Sequence, residues 1–99
     1  MAERNLAEFF MEHEGEYHTF GSVTGADRLS ESPDLCAMLL LASFSTVGGC
    51  ILTAAEHDQV WLGANPMTVN KLATDAQLIT LIRCGVVYDE DEDGFYFFV

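Results

Sequence analysis

Asp89, Asp91, Asp93 and Gly94 stand at positions 1, 3, 5 and 6 of the calcium-loop pattern D-x-D-x-[DN]-G. That spacing turns three carboxylates toward one hard cation, and the glycine makes the sharp turn. Such a loop is completed by a bidentate glutamate at its twelfth position. Here that position falls one residue past Val99, and no exit helix is expected. The expectation is at most weak, non-specific calcium binding, and no metal site is assigned. Two plainer readings of the same run are a solvated hairpin tip and an acidic knob that faces a partner.

Other reactive residue types lack the spacing their chemistry needs. The histidines are His13, His18 and His57, and no H-x-x-x-H or C-x-x-C occurs, so zinc would need scattered ligands. His13 falls on the apolar side of a helical repeat, where a hydrogen-bonded boundary histidine is the default. Ser43 and Ser45 lie in Ala-Ser-Phe-Ser-Thr, which is not the G-x-S-x-G elbow. Gly48-Gly49 lacks the lysine of a phosphate loop and the third glycine of a dinucleotide site. The remaining enzymatic route is a site assembled from distant residues, such as Cys50 or Cys84 with His57. The expectation is a protein that is not an enzyme and holds no cofactor. Cys36, Cys50 and Cys84 each lie in an apolar stretch without a short-range pair. That pattern predicts buried thiols in a reducing compartment, the cytoplasm. Met1 to Phe10 has neither the basic start nor the apolar run of a secretory leader.

The strongest signal is charge. Sixteen acids oppose four bases in 99 residues, a formal net charge of −12. Arg4, Arg28, Lys71 and Arg83 are the whole supply of fixed cations. Most carboxylates must therefore meet water or a partner, and their mutual repulsion opposes folding. Affinity for nucleic acid comes largely from Lys and Arg on phosphates, so direct nucleic-acid binding is not expected. Anionic membrane surfaces are excluded on the same ground. The partner class that fits is a basic protein surface.

The acids also have a pattern. Glu8 and Glu12 lie one helical turn apart, about 6 Å at a rise of about 1.5 Å per residue, and Glu14 and Glu16 extend that patch. Asp89, Glu90, Asp91, Glu92 and Asp93 form the second patch. Alternate residues of an extended segment repeat at roughly 6.7 Å. Both spacings are comparable with successive phosphates along one nucleic-acid strand. Such a surface suits a Lys/Arg groove built for DNA or RNA. The bland alternative is that exposed acids keep a small hydrophobic protein in solution.

These residues must be positioned by one small domain spanning residues 1–99, and 49% apolar content provides a core. Leu6, Phe9, Phe10 and His13 predict an amphipathic helix over 3–14 with Gly15 as its stop. Residues 15–31 read as irregular, with a short strand at Tyr17, Thr19 and Phe20. Ser32-Pro33-Asp34 is a strong helix start. Leu35, Met38, Leu39, Leu40, Leu41 and Ala42 make that helix apolar nearly all round, which predicts the central, most buried helix. No charge occurs from Leu35 to Ala55, long enough to span a bilayer. Gly48-Gly49 near its middle and acidic flanks favour a helix, a turn and a strand instead.

Strands are expected at Cys50–Thr53 and Val60–Leu62. Asn65-Pro66 starts a short helix, and Thr74 to Gln77 is a capping box for the next, which Gly85 stops. Val86–Tyr88 and Phe95–Val99 flank the acidic turn as a hairpin. Phe95 and Phe97 point one way and Tyr96 and Phe98 the other, so both faces are expected to be covered. The fold class is α+β, with about four helices and two β-hairpins forming a small antiparallel sheet. The order helix–helix–hairpin from Asn65 resembles a winged helix. The DNA-binding form of that motif is excluded by charge, because Asp75–Cys84 carries only Arg83 and the wing is acidic.

Taken together, length, charge, the Glu8/Glu12/Glu14/Glu16 patch and the Asp89–Asp93 run resemble the small acidic inhibitors encoded by phages, including anti-CRISPR proteins and DNA mimics. The resemblance is one of type and carries no family motif. It implies a non-enzymatic protein in the host cytoplasm that binds a nucleic-acid-handling effector complex and blocks its basic channel. A second reading is a structural or assembly protein that oligomerises through its aromatic C-terminal strand, and a homodimer is compatible with either.

Overall fold

In the computed structural model, which describes residues 4–46, 48–56 and 58–98, the first element is helix α1 (Leu6–Glu12). The Asn5 side chain caps it by accepting the Glu8 N–H at 3.1 Å. Leu6 and Phe9 are its buried residues. The helix is shorter than the expected 3–14. The chain turns at His13 into a 3-10 turn, Glu14–Glu16, so Gly15 is part of that turn and not a left-handed stop.

No strand forms at Tyr17–Phe20. The segment instead makes two more 3-10 turns, Phe20–Ser22 and Gly25–Asp27. Arginines explain the difference. Arg28 Nη1 donates to the Phe20 and Val23 carbonyls at 3.3 and 3.0 Å, with its guanidinium 4.3 Å from the Phe20 ring centroid. Arg83 donates to Glu16 Oε2 at 2.8 Å and to the Ser22 carbonyl at 3.4 Å. Side chains satisfy carbonyls that a strand would have satisfied through a neighbour.

Helix α2 (Pro33–Phe44) starts as its sequence requires, with Ser32 as cap and proline in the first turn. It is not the central helix. Cys36, Ala37, Leu40 and Leu41 are buried, but Leu35 and Leu39 are each 44% exposed. The helix packs one side against α3 (Pro66–Leu72) and α4 (Asp75–Arg83) and turns the other outward. Gly48 and Gly49 then take φ of +58 and +82, a left-handed turn that glycine permits at no steric cost. Among the described residues, no helix is long and apolar enough to cross a membrane.

Strands β1 (Leu52–Glu56) and β2 (Gln59–Leu62) make the first hairpin, with β1 running three residues further than expected. Asn65 caps α3, and Thr74 with Gln77 forms the reciprocal capping box of α4. Gly85 ends that segment at φ +98. Strands β3 (Val87–Asp89) and β4 (Gly94–Phe98) follow. Val99, the last residue of the expected strand, lies outside the described residues.

The four strands form one antiparallel sheet in the order β1-β2-β4-β3. Phe95 and Phe97 face the helices in a core that includes Leu41, Val69, Leu78 and Leu81. Phe10 of α1 reaches this face: its ring centroid lies 6.0 Å from Tyr88 and 6.1 Å from Phe95. Thus α1 and the C-terminal hairpin share one aromatic cluster.

The opposite sheet face departs from expectation. Directly paired residues share a face, so Trp61 lies with Tyr96, and Gln59 with Phe98. Trp61 and Tyr96 are only half-buried and Phe98 is exposed. Helices cover one side of the sheet, and the second aromatic side is open.

The thiols also split. Cys36 and Cys84 are buried, as expected, but Cys50 is exposed. Burial, with the Cys36 thiol nearby, pushes the Cys84 thiol up to about 12. A thiolate is the reactive form. Native protein is therefore expected to react with Ellman's reagent at Cys50 alone, and at all three cysteines once denatured. Equal rates for all three in native protein would contradict the buried placement.

Candidate functional site

The acidic turn is a built structure. The Tyr88 hydroxyl donates to Asp93 Oδ1 at 2.7 Å, and the Glu92 N–H donates to Asp89 Oδ1 at 3.1 Å. Asp93 has φ +49, a left-handed conformation that aspartate tolerates better than most residues. Asp89 and Asp93 thus fix the turn, while Glu90, Asp91 and Glu92 are exposed at its tip. The calcium-loop reading required these carboxylates to converge. Among the described residues, no three His, Cys, Asp or Glu side chains are grouped as a metal ion requires.

Tyr88 records this arrangement in its acidity. Burial first, and the Asp93 bond next, push its phenol up to about 12. An unfolded tyrosine titrates near 10. Below about pH 10 the phenol is protonated in both states and its contribution to stability is complete. As pH rises through about 12 that contribution is lost, because the unfolded chain releases the proton first. Tyr88→Phe is expected to flatten the alkaline limb of a stability-against-pH curve. An unchanged limb would contradict the hydrogen bond and the partial burial of the phenol.

The hairpin tip borders at least three concavities: one of about 340 Å³ whose wall includes Leu6, Met67, Tyr88, Glu90 and Asp93, and a further two. The larger, about 710 Å³, lies on the open sheet side and is lined by Trp61, Gly94 and the acids Glu56, Asp89, Glu92 and Asp93, among others. No lysine or arginine lines it. Gly63, another lining residue, must be bare: a Cβ there would meet the Cys50 carbonyl oxygen at 2.6 Å. The smaller, about 390 Å³, runs between α1 and β3, with Phe10, Met11, Tyr17 and Val87 in its wall and Glu14 and Glu90 at its edge.

The two acidic patches are therefore joined in part. Glu14 of the first and Glu90 of the second border one groove. Asp89, Glu92 and Asp93 border the other, and Asp91 is exposed between them at the tip. Glu8 and Glu12 are exposed on α1 and line neither groove. Glu16 is paired at the surface with Arg83. Its hydrogen bond and charge pairing with Arg83 hold its carboxyl below the usual carboxylate range, so it adds little to an outward field.

The arginines are likewise spent on the fold. Arg4 donates to Asp75, to Asn70 and to the Ala73 carbonyl at the α3–α4 junction. Arg28 pairs with Glu31, and Arg83 with Glu16. Lys71 is exposed and joins no ion pair among the described residues. The surface field is accordingly negative with little local compensation.

Reading the sequence alone missed Trp61 and Glu56. The alternation Val60-Trp61-Leu62 is the signal that places the indole on the face opposite the buried Leu62. The remaining reactive residues have structural roles. His13 Nδ1 lies 2.8 Å from the Phe9 carbonyl and its ring stacks on Phe9. The Ser43 hydroxyl donates to the Leu40 carbonyl, and Ser45 Oγ accepts the Asn65 N–H. His57, the proposed partner of a cysteine, lies outside the described residues. No family model, curated relative or solved structure matches the chain.

Proposed function

We propose that this protein is a non-enzymatic inhibitor that binds a basic, nucleic-acid-handling protein complex and blocks its nucleic-acid channel, in the manner of an anti-CRISPR protein. The observation that carries this reading is the fixed acidic hairpin tip, anchored by Tyr88 and Phe95 and flanked by two acid-edged grooves. A preorganised run of carboxylates presents charge to a Lys/Arg channel without first ordering a loop. Complementary charge speeds encounter and selects partners. The fold's own arginines do not compete, since each is held by carbonyls or carboxylates of the fold.

The test is capture from lysate of the bacterial host at low and at high salt, followed by identification of the retained complex. The expected result is a nucleic-acid-handling effector that is lost at high salt. Retention of only proteins without a nucleic-acid channel would overturn the proposal.

The alternative, assembly through the aromatic C-terminal strand, has Phe98 on its side, exposed on an open sheet face. Backbone pairing through β4 is not its route, because β2 and β3 occupy both edges of that strand. A concentration-dependent oligomer that disappears in Phe98→Ser would favour it.

A further inference from the structure

We infer that the groove over Trp61 is a receptor for an arginine side chain presented by the partner. The inference rests on the proposed basic partner and names what the surface grips.

Acidity alone attracts any cation, so the indole is what makes this groove selective. Trp61 lies on the open sheet face with its ring centroid 4.9 Å from that of Tyr96, at 44° between planes. Gly94 sits beside it. A Cβ at Gly94 would lie 3.5 and 3.6 Å from Cζ3 and Cε3 of the indole. Glycine therefore adds no side chain against the six-membered ring, and the indole stays partly exposed. Around it stand Glu56 from β1, Asp89 from β3, and Glu92 and Asp93 from the tip. Acidic residues thus come from both margins of the sheet, and no lysine or arginine is among the described lining residues.

A flat aromatic floor with carboxylates at its edge matches a guanidinium. That group is planar, stacks on aromatic faces, and offers five donors in a rigid fork that pairs with carboxylates two bonds at a time. An ammonium group satisfies the charge but neither stacks as a plane nor forks. The groove should therefore prefer arginine to lysine, whereas a general acidic field would not. Volume agrees: about 710 Å³ accommodates a long side chain together with part of the chain that carries it.

The protein's single tryptophan is Trp61, so its fluorescence reports this groove alone. The probes are fluorescein-labelled nona-arginine and nona-lysine, equal in charge, followed by anisotropy and by Trp61 emission at low salt. Nona-arginine is expected to perturb Trp61 saturably and to bind several-fold more tightly than nona-lysine. Trp61→Leu should abolish that preference, weakening arginine binding by about five- to tenfold, in line with a partly desolvated cation–π contact. The double variant Glu56→Gln/Glu92→Gln alters exposed side chains that make no hydrogen bond or ion pair among the described residues. It should weaken nona-arginine binding while leaving the circular dichroism spectrum unchanged. Equal affinity for the two peptides, or binding that leaves Trp61 emission unchanged, would overturn the arginine receptor and leave the basic-partner reading intact. Failure of both peptides to bind at low salt would overturn both.

Discussion

Phe95→Ala is expected to destabilise the protein by about 3–5 kcal/mol, the usual cost of truncating a buried phenylalanine. The net stability of such a domain is about 5–15 kcal/mol, so most of the margin is at stake. Phe95 is fully buried in the strand with neighbours on both sides, and its ring meets Tyr88 and Phe10. Its loss opens a cavity where α1, β3 and β4 converge. Phe98→Ala is the matched control. Phe98 is one residue type on the same strand but 44% exposed on the open face, so its loss should cost under about 1 kcal/mol, as for surface substitutions. Urea unfolding of the two variants checks this. Similar midpoints would mean that the two faces of β4 are not differently covered.

Neutralising the tip is expected to have the opposite signature. Glu90→Gln/Asp91→Asn/Glu92→Gln removes three exposed charges and spares Asp89 and Asp93, which hold the turn. Repulsion falls, so the variant should melt no lower than the parent and slightly higher at low salt. Binding to the captured partner should weaken by about tenfold or more, with a shallower salt dependence, as charge complementarity chiefly governs encounter and specificity. Adding Glu8→Gln/Glu12→Gln tests the α1 face separately. That face borders neither groove, so its effect should be smaller. A larger effect from α1 than from the tip would relocate the binding surface to the helix.

Local signals predicted the elements whose causes are local. Ser32-Pro33, Asn65-Pro66 and the Thr74–Gln77 box each start a helix where expected, because a cap and its amides lie within three residues. The acidic hairpin followed from two aromatic or aliphatic runs around a turn-forming stretch. Long-range causes were not legible. The path of residues 14–31 depends on Arg83 reaching back to Glu16 and Ser22 across more than sixty residues. No window of sequence contains that contact. The same bond withdrew Glu16 from the predicted patch.

The open sheet face was hidden for a related reason. Alternation along β4 correctly separated Phe95 and Phe97 from Tyr96 and Phe98. Whether a second layer covers the second face depends on where the helices go. All four lie on one side, since each buries its apolar residues in the single core formed around Phe95 and Phe97. The apolar character of α2 likewise predicts full burial, although with one core only one of its sides finds a partner. Of the predicted site, the hairpin tip is presented outward and Glu14 joins it across a groove. Trp61 and Glu56 complete the larger groove from a hairpin that carried no motif.

Competition between nucleic acid and this protein for the captured complex bears most directly on the central claim. Labelled DNA or RNA substrate is bound to the complex, and the protein is titrated at fixed low salt. If the acidic surface occupies the channel, the apparent dissociation constant for nucleic acid rises in proportion to protein concentration without reaching a plateau. The Glu90→Gln/Asp91→Asn/Glu92→Gln variant should require about tenfold more protein for the same displacement. A ternary complex, in which nucleic acid and protein are held together at saturation of both, would contradict the account.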